Sequence, residues 1–455
     1  MNVWINKIKT MRSNILYASA VRYGATSLYP RGIAILTTLI MTPLIVEKFG
    51  ITRYAVWFMS TLISTIVSFP DFGISNGIIN KVANSNRNSN NILSMSITLK
   101  NLNFLLKLIA VFWLLIGVLA IFLYSENYDS TINRDEFRNG MLLSLLIFVV
   151  GIPPSLWSRV QLGLERGHEA VMWEGIGKTL SFLLSGVIIF FYPNMYLLIT
   201  ATLLPNVITS YINEHLFTRS SLPNINSKNQ KRQSLLNIIR ENIITIKMGG
   251  YFTVIQIAYL FGFALDPFII GQFMKIEAVS YFSIIRRPFD ALPLVITLFS
   301  TALWPIFNRL YAEKKLQKAK KIIIQLIVIS VISIVFLSLL ITVFRDRVFG
   351  YLGNNTIDPQ IVDLFWIALK TIAISIVIIL NNYMNAVEII ERQAKIQISS
   401  AIVSFIVVLY VLRFNNLQIY FATSSIIYVL LTLIPMIYVS FSDMRRRIRS
   451  AKEIS

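Results

Sequence analysis

The sequence predicts an all-α polytopic membrane protein of about twelve spans, on three observations. Of 455 residues, 55% are hydrophobic and only 14% are charged, whereas soluble domains carry about 25% charged residues. Apolar runs near 20 residues recur along the chain, the length that crosses a bilayer as a helix. The short alternating segments of a membrane β-barrel do not appear in the sequence.

The spans are expected at about 23–46, 54–78, 101–124, 141–161, 170–192, 194–217, 249–272, 279–306, 322–344, 361–387, 393–412 and 418–440. Before the first, only Ile15, Leu16 and Tyr17 stand where a signal peptide needs a 7–15-residue apolar region, so a basic tail or surface helix is expected. A polar turn around Lys48 separates the first pair of spans. Phe191-Tyr192-Pro193-Asn194 joins spans five and six, and Arg413-Phe414-Asn415-Asn416 joins eleven and twelve. Links this short force antiparallel neighbours. Pro30, Pro70, Pro153, Pro154, Pro288 and Pro293 are expected to break or kink spans one, two, four and eight.

Charge sets the orientation. With the N-terminus inside, cytoplasmic segments hold 27 Lys and Arg and the opposite side 8, which places both termini in the cytoplasm. The same bias accounts for a net charge of +20 that would suggest nucleic acid in a soluble protein, so no nucleic-acid partner is expected. The absence of Cys, with His168 and His215 the only histidines, rules out a disulfide framework, a thiolate site and a His-rich metal site.

The longest basic loop falls at mid-chain and divides the sequence into a 1–217 lobe of six spans, a 218–248 linker, a 249–440 lobe of six spans and a 441–455 basic tail. The two halves echo each other. Pro43–Phe58 aligns without gaps to Pro267–Phe282 at an offset of 224, with Pro43/Pro267, Ile45/Ile269, Phe49/Phe273 and Phe58/Phe282 identical. Repeats of six spans keep one orientation and are related by an axis along the membrane normal, with a substrate site between them.

Two motifs fail as catalytic signatures. Gly73-Ile74-Ser75-Asn76-Gly77 matches G-x-S-x-G, but it sits in an apolar helix with no suitable histidine. A GxxxG packing pair explains it better. Gly177-Lys178-Thr179 resembles the end of a phosphate-binding loop, but the first glycine is replaced by Met172.

Seven basic residues lie inside the spans: Arg22, Arg31, Lys107, Lys178, Arg286, Arg287 and Lys370. A charge at mid-bilayer costs about 2.5–3.5 kcal/mol on insertion scales. Arg22 and Lys107 stand near a boundary and can snorkel. Lys178 has Glu174 four residues earlier, and Arg286 and Arg287 share Asp290. Asp363 is the nearest acid to Lys370 in sequence, two turns away, and Arg31 has none nearby. Against Asp71, Glu174, Asp290 and Asp363, about three positive charges remain in excess. Cationic walls attract anions. Structural pairing of every cation with a distant acid is the competing reading.

Three segments then resemble the Wzx-type polysaccharide flippases of the multidrug/oligosaccharidyl-lipid/polysaccharide (MOP) exporter superfamily. Lys48–Trp57 is similar to the family's outer turn, Asp71–Gly77 to the inner end of its second span, and Gln161–His168 to the loop after the fourth. Ala55 departs from the family's usual glycine, with an effect expected on the turn alone.

The resemblance implies a MATE-like pair of pseudo-symmetric six-helix bundles in the bacterial inner membrane. It implies flipping of an undecaprenyl-pyrophosphate-linked oligosaccharide, such as an O-antigen unit for lipopolysaccharide, to the periplasmic leaflet. By that similarity Arg31, Lys178, Arg286, Arg287, Lys370 and Lys107 contact the headgroup, while Asp71, Glu174 and Asp290 balance charge or couple H+ or Na+. No enzymatic activity and no cofactor are expected; membrane lipid and other polysaccharide assembly proteins are the expected partners. A drug antiporter of the same fold and a polysaccharide polymerase or ligase are the alternatives. The first fits the basic excess poorly, and the second usually carries a large outer loop, whereas those at about 125–140 and 345–360 are short.

Overall fold

The computed structural model describes residues 2–66, 78, 82, 92–126, 133–164, 166–221, 243–312, 315–387 and 389–453. Asp71, Pro70, the 73–77 glycine motif and most of the 218–248 linker lie outside the described residues. Among the described residues every regular element is helical.

Helix α1 (Asn2–Ile66) holds the first span and the start of the second, broken at Gly50 with φ 80° and ψ 165°. Glycine meets that left-handed φ without a Cβ clash. Ala55 lies in the helix beyond the break and is fully buried. Its small side chain therefore bears on packing, which corrects the expectation that it affects the turn.

The long apolar α2 (Ile92–Glu126) is followed by α3 (Arg134–Gly151) and α4 (Ser155–Gly163). Pro153 and Pro154 stand in the short break between α3 and α4. The expected proline break is present there, and Pro70 of span two lies outside the described residues. Helix α1 runs through Pro30, and α9 (Ile276–Ala312) runs through Pro288 and Pro293. A proline costs a helix one backbone hydrogen bond and a clash one turn back, and long packed helices carry that cost without stopping.

Helices α5 (Gly167–Phe191) and α6 (Met195–Ser221) form the expected antiparallel pair. The Asn194 side chain accepts from the Tyr196 and Leu197 amides at 2.9 and 3.2 Å, capping α6. Small residues and side-chain hydrogen bonds join the two helices. Asn206 donates to Ser181 at 2.9 Å, and Ser185 and Thr202 pair at 3.2 Å. In a membrane such contacts replace the hydrophobic drive for association.

The second half begins with α7 (Ile243–Tyr259), which continues as one π turn, Leu260–Ala264, into α8 (Asp266–Phe273). After α9 come α10 (Leu316–Val343), the short α11 (Arg345–Leu352), α12 (Ile361–Ala386) and α13 (Ile390–Val411). The Asn416 side chain caps α14 (Leu417–Ile427), and a second π turn, Tyr428–Leu433, leads into α15 (Ile434–Glu453).

Ten helices among the described residues are long and apolar enough to cross a membrane. Spans one and two merge in that count, and α9, which carries Arg286, Arg287 and Asp290, is not among the ten. Exposed apolar side chains run along the outside, such as Leu115, Leu119 and Leu123 on α2 and Ile329, Ile332 and Phe336 on α10. In water this would be an aggregation surface; in a bilayer it is the lipid contact.

The chain forms two compact units. The first holds 1–34, 63–126 and 138–253; the second holds 35–62, 127–137 and 254–455. Within the first, Leu102, Leu106, Leu156, Trp157, Val160 and Phe217 pack a core from α2, α4 and α6. Within the second, Phe307, Ile323, Leu380, Tyr383, Met384 and Met436 do so from α9, α10, α12 and α15.

The aligned repeat segments both fall in the second unit. Gly50 aligns with Met274, where α8 ends with φ −127° and ψ 170°. The helix therefore breaks at equivalent positions of the two segments.

Candidate functional site

Three of the candidate cations gather on α9 and α12 of the second unit. Lys370, on α12, meets Asp266 at the start of α8, with Nζ 3.8 Å from Oδ2. The two side chains are 14% and 5% exposed. Lys370 also sits 4.7 Å above the Phe263 ring. Phe263 belongs to the first π turn and meets Tyr428 of the second edge-on at 5.1 Å. Such turns concentrate at functional sites, because they redirect side chains within a helix.

Asp266 was missed in the charge count from sequence, although it lies inside the expected 249–272 span. It shows there as an isolated acid before Pro267 in an apolar run. Asp363 is not the partner of Lys370: its Oδ2 accepts instead from the Tyr281 hydroxyl at 2.6 Å. A three-dimensional neighbour is closer than the acid two turns along the helix. Counting Asp266 lowers the expected excess of three positive charges to two, and Glu214 in the 194–217 span lowers it to one.

Tandem Arg286 and Arg287 project from α9 about 100° apart and meet different environments. Arg286 pairs with Asp290 at 3.2 Å and stacks 4.9 Å from Phe282, one turn back. Arg287 has no carboxylate partner among the described residues. Its guanidinium lies 4.9 Å from the Phe58 ring and 5.9 Å from the Trp57 ring, and its Nε donates to the Tyr54 hydroxyl at 3.3 Å. Cation–π contacts contribute about 0.5–2 kcal/mol each. They stabilise the charge without neutralising it.

In the first unit, Lys178 pairs with Glu174 at 2.7 Å, the self-neutralised arrangement its spacing suggests. One residue each side of Lys178 explains the helix contact there. A Cβ on Gly177 would fall 2.5 Å from Thr209 Oγ1 and 3.0 Å from the Asn206 Cα. Thr179 pairs with the Tyr29 hydroxyl at 2.8 Å. The Gly-Lys-Thr sequence is thus a packing feature.

Arg31, on α1, is half-buried, and its Nη1 has no hydrogen-bond partner among the described residues. Lys107 is exposed on α2 and interacts electrostatically with Glu214 of α6. Arg22 is exposed as well. In the Gln161–His168 segment, Gln161 and Asn213 exchange hydrogen bonds of 2.8 and 2.9 Å, and Arg166 grips Glu169 through Nε and Nη2 at 2.7 and 2.8 Å. Those partners give the segment a structural part. Among the described residues no His, Asp or Glu cluster suits a metal ion.

Among the described residues Arg287 has no carboxylate partner, while Lys178, Arg286 and Lys370 each have one. Arg287 can accept an anion without breaking an ion pair to a described residue.

The family model described as polysaccharide biosynthesis protein matches residues 16–311. Among solved structures, the chain is similar to an outward-facing multidrug resistance MATE transporter of the MOP superfamily. The TM-score is 0.65 at 14% identity, over 96% of this chain and 97% of that one. A Vibrio cholerae MATE transporter gives 0.63 at 12%, over 96% and 97%. A Pyrococcus furiosus MOP-superfamily transporter, whose reverse pocket polarity is said to suggest a different function, gives 0.61 at 13%, over 96% and 97%. These likenesses establish the MATE fold. No curated protein matches the chain at a significant level.

Proposed function

Because this chain belongs to the polysaccharide biosynthesis protein family of the MOP superfamily, we propose that it flips an undecaprenyl-pyrophosphate-linked oligosaccharide. The direction is from the cytoplasmic to the periplasmic leaflet of a bacterial inner membrane, by alternating access, with both termini in the cytoplasm. The observation that carries the reading is Arg287, an intramembrane guanidinium seated on two aromatic rings with no acid beside it among the described residues. A pyrophosphate carries about two negative charges, and guanidinium offers paired donors that match its oxygens. Arg31, in the first unit, has one nitrogen without a hydrogen-bond partner among the described residues. Lys178, Arg286, Lys370 and Lys107 serve the headgroup in a secondary way. The first three must first leave Glu174, Asp290 and Asp266, and that exchange links substrate binding to the acids that balance charge or couple H+ or Na+.

Complementation of a flippase-null strain tests the reading, with the lipid-linked intermediate assayed by leaflet. The parent chain restores surface polysaccharide. Arg287→Ala inserts normally but loses at least about tenfold in flipping, the loss expected when a charge-assisted contact of about 1.5–3 kcal/mol is removed. Full polysaccharide from a stably inserted Arg31→Ala/Arg287→Ala variant would remove both residues from the mechanism. Drug efflux without complementation would favour the antiporter reading.

A further inference from the structure

A second cationic feature lies far along the chain from these residues, where the start of α10 meets the end of α15. A cavity of about 510 Å3 is lined there by Gln317, Lys320, Lys321, Gln325, Arg445 and Arg449, with Ile324 and Ile448. Both walls belong to the second unit.

The sequence dictates which basic residues reach it. In Asp443-Met-Arg-Arg-Arg-Ile-Arg449, residues three and four beyond Asp443 share its helix face. Arg446 and Arg447 accordingly bind the buried Asp443 at 3.3 and 2.6 Å, and Tyr383 donates to the same carboxylate at 3.0 Å. Arg445 and Arg449, one turn apart, share a different face and line the cavity. On α10, Gln317, Lys320, Lys321 and Ile324 follow the same three- and four-residue spacing.

Four cations thus face one another. Among the residues whose side chains are described, no ion pair or hydrogen bond neutralises Lys320, Lys321, Arg445 or Arg449. Like charges around one concavity repel unless an anion joins them. The two glutamine amides add donors that a phosphate accepts from.

The apolar part of the wall names the carrier of that phosphate. Ile324 begins an exposed ridge that continues one turn at a time through Val328 and Ile332, the helical spacing of a lipid-facing stripe. The cavity therefore opens where lipid-facing surface begins. We propose that it binds the phosphate of an anionic membrane lipid, with an acyl chain laid along Ile324, Val328 and Ile332. The site is separate from the proposed translocation residues and does not depend on which substrate they carry.

Native mass spectrometry of the full chain in detergent tests this with phosphatidylglycerol and phosphatidylcholine at equal concentration. Phosphatidylglycerol stays bound and phosphatidylcholine does not. Each basic residue near an anionic lipid contributes roughly fivefold, so Arg445→Gln/Arg449→Gln weakens retention by roughly 30-fold. Arg445→Lys/Arg449→Lys keeps most of the binding, because lysine still supplies the charge. Lys318→Gln/Arg413→Gln removes equal charge away from the cavity and binds like the parent. Equal loss in both glutamine pairs, or equal retention of the neutral lipid, would overturn the site. Complete displacement by inorganic phosphate at the lipid's own concentration would overturn the lipid assignment.

Discussion

The Lys370–Asp266 pair gives the sharpest stability test. Both side chains are nearly out of solvent and stand 3.8 Å apart. At an effective dielectric of about 20, two unit charges at that separation attract by about 4 kcal/mol. Removing one partner strands the other, and for buried pairs that loss runs at about 3–5 kcal/mol. Replacing both by uncharged groups removes the desolvation cost along with the attraction, and such replacements are often neutral or stabilising. Lys370→Met and Asp266→Asn should therefore each lower the melting temperature of the detergent-solubilised protein by about 3–5 °C. The double variant should recover most of the loss, and the coupling read from that cycle should be at least about 2 kcal/mol. Fluorescence-detected size exclusion after heating reads all four proteins in one format. Two singles that each cost under about 1 kcal/mol, or a double whose loss is their sum, would show that the residues do not act as a charged pair. A rescued double that no longer complements would separate a functional role for the pair from its structural one.

Two further outcomes follow from the geometry. Tyr281→Phe removes the 2.6 Å hydrogen bond to Asp363 and leaves a buried carboxylate short of a donor, a cost of about 1–3 kcal/mol. Tyr281→Phe with Asp363→Asn should lose less in the same melting assay than the additive sum. Gly177→Val drives side-chain carbon into the Thr209 hydroxyl and the Asn206 backbone, and overpacking of this kind costs about 1–3 kcal/mol. A Gly177→Val protein with unchanged melting temperature would mean that α5 and α6 separate without penalty.

What could be read from sequence was local. The links at Phe191–Asn194 and Arg413–Asn416 and the Lys178–Glu174 pair each depend on residues within a turn or two of one another. Spacing alone reports those distances. Partners from distant segments were not legible. Lys370 lies 104 positions from Asp266, and helical periodicity says nothing about which foreign helix will face it. The nearest acid along the chain therefore looked like the partner. Arg287 was legible as buried charge, but its seat of Trp57, Phe58 and Tyr54 was not. Those aromatics stand in an apolar span where a ring facing lipid and a ring facing a cation look the same. The π turns at 260–264 and 428–433 had no sequence signal either, since a single widened turn leaves the apolar pattern almost intact.

The aligned segments Pro43–Phe58 and Pro267–Phe282 bear on how a charged dipeptide stands in α9. The positions equivalent to Arg286 and Arg287, 224 residues earlier, are Leu62 and Ile63, so the charges belong to the later copy alone. The phenylalanine before them is common to both copies, as Phe58 and Phe282. Each ring holds one of the tandem arginines: Phe282 stacks on Arg286 within its own helix, and Phe58 receives Arg287 from α9. Ser280 strengthens the docking of the two copies, donating to the Ile51 carbonyl at 2.7 Å, just past the Gly50 break. The two aligned segments offer two similar aromatic seats, and both cations stand after the later one. The acid followed only one of them, because Asp290 pairs with Arg286. An arginine held by rings keeps its charge available to an anion, whereas one held by a carboxylate must first be released. That difference between adjacent residues makes Arg287, rather than Arg286, the position where substitution should act on substrate before it acts on fold.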